Sequence, residues 1–151
     1  ASWAQARRDI PLYGTTHADY FYGPVPCTRD LTPQEIETAY EEETGNVILE
    51  TFDERGLDPV FTPAVLCASH GPFCWGKDAA QAVYHAVVLE ELARMACQTE
   101  QINPQARPAQ DAIGRPSQRL VTMRSIRSDM VMACLPAFFL TAEEIIFAIY
   151  S

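Results

Sequence analysis

Residues 63–82 constrain the fold of this chain more than any other stretch. An apolar run, Ala64-Val65-Leu66-Cys67-Ala68, lies between Pro63 and Ser69, a pattern typical of a short buried strand. Asp78 then stands directly before a helical pattern, and Asp is favoured at helix N-caps. The sequence therefore predicts a buried strand, a tight turn and a capped helix in quick succession.

His70 follows this strand, and the next two residues, Gly71 and Pro72, predict a turn that holds its side chain at a cleft. A neutral imidazole held in this way suits a metal ligand or an acid–base group. The same residue could instead only hydrogen-bond the turn. The residues alone leave these interpretations open.

A long amphipathic helix is predicted from residue 79 to about residue 102, and Asn103-Pro104 ends it. Its apolar stripe has a period near 3.6 and consists of Ala82, Val83, Ala86, Leu89, Ala93, Ala96 and Cys97. An earlier helix begins with the capping box Thr32-Pro33-Gln34-Glu35, changes direction or restarts at Thr44-Gly45, and stops at Gly56. Before both helices, residues 25–28 predict a short edge strand.

Three motifs carry more specific information than these patterns. They are Gly14-Thr15-Thr16-His17-Ala18-Asp19-Tyr20-Phe21-Tyr22-Gly23, Glu43-Thr44-Gly45-Asn46-Val47-Ile48 and His70-Gly71-Pro72-Phe73-Cys74-Trp75-Gly76-Lys77. Together they resemble the bacterial L-ribulose-5-phosphate 4-epimerases of the class II aldolase family. The resemblance extends without a gap from about residue 3 to about residue 107.

The resemblance implies an α/β fold with three layers, in which helices flank a largely antiparallel sheet. It implies a homotetramer, and a domain of which residues 1–107 are the C-terminal half, so that the fold is incomplete at the N-terminus. By the same resemblance, two histidine ligands and one acidic ligand for zinc, and the loops that hold the sugar phosphate, belong to a part of the domain upstream of residue 1.

The resemblance also assigns roles to individual residues. His70 corresponds to a zinc ligand, Asp19 to a catalytic acid–base aspartate, and Glu41 to a residue that approaches the active site. His17 is expected to have a structural role, or to contact the catalytic groups without touching the substrate. From the residues alone, Asp19 could equally cap a turn, and the aromatic block beside it could simply fill the core.

The implied reaction interconverts L-ribulose 5-phosphate and D-xylulose 5-phosphate by zinc-dependent retro-aldol and aldol steps. Asp19 would be one member of the acid–base pair. Two alternatives remain: a related class II aldolase that cleaves a sugar phosphate without reclosing it, and a non-enzymatic gene remnant. The fragment by itself is expected to be inactive and to self-associate.

The spacing of Cys67, His70 and Cys74 is also compatible with a cysteine-rich zinc site. We interpret the two thiols as packing residues instead, because buried cysteine behaves as a small hydrophobic side chain and the resemblance gives neither a ligand role.

The composition of the chain disfavours some classes of binding partner and predicts its cellular compartment. A net charge of −9 disfavours nucleic acid and anionic membranes as partners. Residues 2–8 lack the apolar core of a signal peptide, and the five cysteines lack the spacing of a disulfide framework. These features predict a cytoplasmic protein with reduced thiols.

The resemblance ends at about residue 107, and residues 108–151 are predicted as a divergent tail. The family's catalytic tyrosine follows a different local sequence, so we do not assign its role to Tyr150. The apolar run at residues 130–140 is too short to cross a bilayer. Thr141-Ala142-Glu143-Glu144 is a capping box that predicts a final short helix.

Overall fold

The computed structural model describes residues 1–109 and the strand at residues 131–134. In chain order, the elements are α1 (Ser2–Gln5), α2 (Thr15–Ala18), α3 (Pro33–Arg55), β1 (Ala64–Cys67), β2 (Gly71–Gly76), α4 (Ala79–Ile102) and β3 (Val131–Cys134). The predictions for Tyr150 and for the capping box at residues 141–144 lie outside the described residues.

The three strands form one antiparallel sheet in the order β1-β2-β3. β1 and β2 form a hairpin in which Ala64 faces Cys74 and Cys67 faces Gly71. β3 pairs with the other edge of β2, from Phe73 opposite Cys134 to Gly76 opposite Val131. The antiparallel sheet with flanking helices confirms the predicted α/β class.

Alternation along β1 divides the core into two parts, one on each face of the sheet. Ala64 and Leu66 pack in a cluster with α1 and α4, whereas Val65 and Cys67 pack in a cluster with α3. The molecule is therefore layered as helix, sheet and helix, with the β1–β2 hairpin in the middle layer.

Helix α4 confirms the predicted range and the Asp78 cap, whose side chain accepts a hydrogen bond from the Gln81 amide at 2.7 Å. Its buried residues are Ala82, Ala86, Leu89, Leu92 and Ala96. The prediction was wrong for Val83 and Cys97, which are exposed. Each of them directly follows a buried alanine. Because consecutive side chains of an α-helix differ in direction by about 100°, the side chains of Val83 and Cys97 point away from the buried face.

Helix α3 begins with the predicted capping box and ends at Gly56, which takes the left-handed conformation (φ 59°, ψ 37°). The predicted change of direction at Thr44-Gly45 was wrong, because the non-helical residue is Ala39 (φ −156°, ψ 60°). The backbone at Thr44 is helical, and its hydroxyl donates to the Tyr40 carbonyl at 2.7 Å.

Two strand predictions need correction. Pro72 lies in strand β2, opposite Leu66, and not in a turn. In the described part of the chain the pairing of β2 with β3 begins at Phe73, so no described residue on that side needs a proline N–H. Residues 25–28 make two isolated bridges, Val25 to Ile10 and Cys27 to Leu66, in place of a strand.

None of the helices in the described part of the chain combines the length and the apolar character needed to cross a bilayer.

Candidate functional site

The tight turn between β1 and β2 carries His70. Each of its three amides is hydrogen-bonded: Ala68 donates to the Thr28 hydroxyl at 3.1 Å, Ser69 to the Ala4 carbonyl at 3.1 Å, and His70 to the Cys67 carbonyl at 3.0 Å. Ser69 has a left-handed φ of 64°, which non-glycine residues rarely adopt. The backbone at His70 is therefore fixed by segments from three parts of the chain.

The His70 side chain is exposed and lies flat against Phe73 of β2. The two ring centroids are 5.1 Å apart and the planes meet at 18°. Partial desolvation lowers the pKa of His70 below its ordinary value of 6.5. At neutral pH the imidazole is accordingly neutral and keeps a nitrogen lone pair that can bind a metal or accept a proton.

Asp19 ends helix α2 and is exposed to solvent. Of the aromatic residues that follow it, Phe21 is fully buried in the core. Tyr20 is partly exposed and packs edge-on against Tyr84 of α4, with centroids 6.1 Å apart. The segment is therefore held by Phe21 in the core and by Tyr20 against α4, while the Asp19 carboxylate stays accessible to solvent.

His17 is buried, and its Nε2 lies 2.9 Å from the Gly23 carbonyl oxygen. Burial lowers its pKa, against a smaller effect of that hydrogen bond. The ring also packs edge-on against Phe21 at 5.9 Å. The buried His17 side chain thus connects the two ends of the loop that carries Asp19, through its contacts with Gly23 and Phe21. These contacts are compatible with the structural role predicted for it.

The remaining sequence candidates lie apart from this hairpin turn. Glu41 is exposed on α3. His85 on α4 places Nδ1 2.6 Å from the Trp75 carbonyl oxygen, so its ring is engaged by the backbone of β2.

His70 and Asp19 lie at opposite ends of the β1–β2 hairpin. His70 is at the turn, next to Gly71. The Asp19 segment is near the other end, where Tyr22 donates to the Phe61 carbonyl at 3.2 Å and Trp75 donates to the Pro63 carbonyl at 3.2 Å. At about 3.3 Å per residue, the two ends of β2 are roughly 17 Å apart. The two candidate residues therefore do not form one site within the described part of the chain.

The described residues do not by themselves form a metal centre. No three histidine, cysteine or acidic side chains among them converge closely enough to hold an ion. Cys67 and Cys74 pack in different core clusters, on opposite faces of the sheet, so the two thiols do not converge with His70. A catalytic zinc site normally takes three protein ligands, and His70 supplies one at most.

A cleft of about 380 Å³ lies beside the hairpin turn and is lined mainly by charged side chains. Its arginines are all bound to carboxylates at 2.6–2.9 Å, in the pairs Arg7 with Asp30, Arg29 with Glu50 and Arg55 with Asp9. The cleft is therefore a network of ion pairs, in which each guanidinium already has a carboxylate partner.

The sequence reasoning did not find the groups that hold the hairpin turn. Arg7, Asp30 and Ser69 meet at the edge of the charged cleft, although Asp30 is 23 residues from Arg7 and Ser69 is 39 residues from Asp30. Residues so far apart share no periodicity. The sequence likewise does not predict the left-handed φ of 55° at Arg7, because glycine is the residue that usually indicates such a conformation.

Comparison with known proteins agrees with this fold. Residues 1–97 match the family described as the class II aldolase and adducin N-terminal domain. The match covers most of the chain, and the chain belongs to this family.

Within the family, the chain is similar to proteins named L-ribulose-5-phosphate 4-epimerase UlaF. It is 53% identical to those of Salmonella paratyphi B and Salmonella typhi over 110 residues, which are 73% of this chain and 47% of each relative. The protein from Salmonella choleraesuis is 52% identical over the same length. The chain thus spans about half the length of these curated relatives.

Proposed function

We propose that this chain supplies part of the active site of an L-ribulose-5-phosphate 4-epimerase, an isomerase acting on a pentose phosphate. The observation that carries the proposal is the 53% identity over 110 residues to proteins of that name. Asp19 and the motif around His70 lie within the corresponding resemblance. The exposed carboxylate and the neutral, exposed imidazole are compatible with the roles proposed below.

The proposed role of Asp19 is proton transfer at a substrate hydroxyl. Epimerisation through cleavage and re-formation of the C3–C4 bond requires the proton of the C4 hydroxyl to leave and return. An exposed carboxylate on a segment anchored by Phe21 can accept that proton without moving its backbone. None of the described residues is assigned as the opposite partner of this acid–base pair.

The proposed role of His70 is to bind a metal ion, which we propose to be zinc. The neutral imidazole at a rigid turn supports this assignment, since zinc takes histidine in its deprotonated form. A single ligand cannot define the ion or hold it tightly. The remaining ligands must come from outside the described residues.

We further propose a homotetramer with its active sites between copies. His70 and Asp19 lie at opposite ends of the hairpin, so an active site that uses both is more easily built from two chains. An apolar surface next to Asp19 supports this assembly, because Tyr20, Val83, Tyr84 and Val87 are all between 38% and 63% exposed. The absence of a disulfide framework in the sequence supports a cytoplasmic location.

The test of the function uses a chimera in which this chain's 110 aligned residues replace the corresponding segment of a Salmonella relative. Asp19→Asn should lower turnover by roughly 10²- to 10⁴-fold, the usual contribution of a general acid–base group, and leave metal content unchanged. His70→Ala should lower metal content and turnover together. Asp53→Asn, which changes an exposed carboxylate on α3, serves as the matched control.

Near-normal turnover in the Asp19→Asn chimera would show that this carboxylate is only structural. Product analysis separates the epimerase from an aldolase, since an aldolase would release two smaller fragments without forming D-xylulose 5-phosphate.

A further inference from the structure

Arg7 and Ser69 are the two non-glycine residues with a left-handed backbone in the described part of the chain, at φ 55° and 64°. Their side chains are bonded to each other, with Arg7 Nη2 donating to Ser69 Oγ at 2.9 Å. Such conformations are unfavourable for L-residues and persist where surrounding contacts hold them. Two strained residues, distant in sequence, therefore share one set of contacts.

Asp30 joins these two residues through both of its carboxylate oxygens. Oδ2 accepts from Arg7 Nε at 2.6 Å, and Oδ1 accepts from the Ser69 hydroxyl at 3.1 Å. The hydrogen bond from Arg7 lowers the pKa of Asp30, so the carboxylate is ionised at neutral pH. The three side chains form a closed ring of hydrogen bonds, which we name the turn bridge.

The turn bridge acts on the backbone directly before His70. Ser69 is held through its hydroxyl by Arg7 and Asp30, and through its amide by the Ala4 carbonyl at 3.1 Å. Because Ser69 and His70 are adjacent, the φ and ψ of Ser69 set the direction in which the imidazole leaves the hairpin. In the observed direction the imidazole stacks on Phe73 at 5.1 Å.

We infer that Arg7 and Asp30 are positioning residues, which hold Ser69 in its left-handed conformation and so fix the orientation of the His70 imidazole. The functional meaning of this orientation rests on the proposed role of His70 as a ligand. Neither residue is a catalytic residue, because each acts through Ser69. A ligand side chain held in one orientation loses less conformational entropy when it binds. The bridge would therefore lower the entropy cost when His70 binds its proposed metal ion.

The orientation of His70 can be measured without any metal or substrate. The chain has three histidines, and selective ¹³C labelling gives each imidazole its own NMR signal. The experiment uses the whole metal-free chain at about pH 8.5, well above the ordinary histidine pKa of 6.5. The ring of Phe73 displaces the His70 signal, and a Phe73→Leu variant gives the position of that signal without the displacement.

We expect Arg7→Ala and Asp30→Ala to move the His70 signal toward its position in Phe73→Leu. The two changes should not add when combined, because they break the same bridge. Ser69→Gly is a milder variant, since glycine takes the left-handed conformation without strain. It removes the hydroxymethyl group that joins the bridge, so it should also move the signal. Glu91→Ala removes an exposed ion pair with Arg94 inside α4 and should leave the signal unchanged.

His17 and His85 serve as internal controls, because their nitrogens contact backbone carbonyls away from the turn. An unchanged His70 signal in Arg7→Ala, Asp30→Ala and Ser69→Gly would overturn the inference. Movement of all three histidine signals together would also overturn it, since the bridge would then stabilise the fold in general. The outcome is independent of the proposed function, because a chimera with inactive chemistry could still show His70 held by the bridge.

Discussion

Arg29 ties the first turn of α3 to the residues near its end. Its guanidinium donates to both carboxylate oxygens of Glu35 at 2.9 Å and to Glu50 at 2.9 Å. Glu35 also accepts from the Thr32 amide at 2.6 Å as part of the capping box. The hydrogen bonds from Arg29, and then from Thr32, lower the pKa of Glu35 from 4.5 to about 2.

This pKa predicts how stability changes with pH. A carboxyl whose folded-state pKa is depressed contributes stability above its unfolded pKa and loses it as the pH falls through the folded value. The contribution of Glu35 is therefore fully present above pH 4.5 and declines toward pH 2. Urea unfolding over this range should show a smaller pH dependence for Glu35→Gln than for the parent chain.

Glu37→Gln is the matched control, because Glu37 is an exposed acid of the same helix. Equal pH dependence in Glu35→Gln and the parent chain would contradict this account of the Arg29 pair.

At the residue scale, the sequence identified the candidate chemistry but missed what holds it in place. His70 and Asp19 stand in long motifs, so a resemblance could assign them roles, which remain predictions. Arg7 and Asp30 stand in no motif, and their contact with Ser69 exists only because the chain folds. Ion pairs of this kind depend on tertiary distance, which residue spacing does not encode.

At the element scale, local signals predicted the two long helices α3 and α4, apart from the position of the kink in α3. The capping box at Thr32, the Asp78 cap and the Gly56 stop all act within one helical turn, so they can be found in a short window of sequence. Strand β2 was missed because Gly71 and Pro72 are typical turn residues. Its pairing with β1 and β3 is a long-range property, which overrides that local preference.

The close contact between β2 and α4 gives a prediction at this scale. A Cβ added at Gly76 would lie 2.8 Å from Gln81 Cβ and 2.9 Å from the Ala82 backbone nitrogen. Because a backbone atom cannot move aside at little cost, Gly76→Ala should destabilise the fold by about 1–3 kcal/mol, as overpacking generally does.

Urea unfolding measures the cost, with Gly23→Ala as the control, since a Cβ there meets nothing within 4 Å. An effect of Gly76→Ala no larger than that of Gly23→Ala would show that the start of α4 can shift away from β2.

At the scale of the whole molecule, the layered core explains how about half of the length of the relatives can still form a sheet covered by helices. α4 and α1 cover one face of the β1–β2 hairpin, and α3 covers the other. The same arrangement places His70 and Asp19 at opposite ends of the hairpin. The predicted three-layer α/β class is thus present, while a complete catalytic site is not present in the described part of the chain.

The chain alone should consequently bind zinc weakly and show no epimerase activity, because one ligand neither holds nor orients a metal ion. Its exposed apolar surface around Tyr84 should make it self-associate, which sizing chromatography can detect. A well-behaved monomer would contradict the second expectation.

The most direct test of the central proposal compares turnover of L-ribulose 5-phosphate by the 151-residue chain and by its chimera with a Salmonella relative, under the same conditions and with added zinc. The account predicts no D-xylulose 5-phosphate from the chain alone, and zinc-dependent formation of it by the chimera. A folded, metal-loaded chimera without turnover, or measurable turnover by the chain alone, would contradict it.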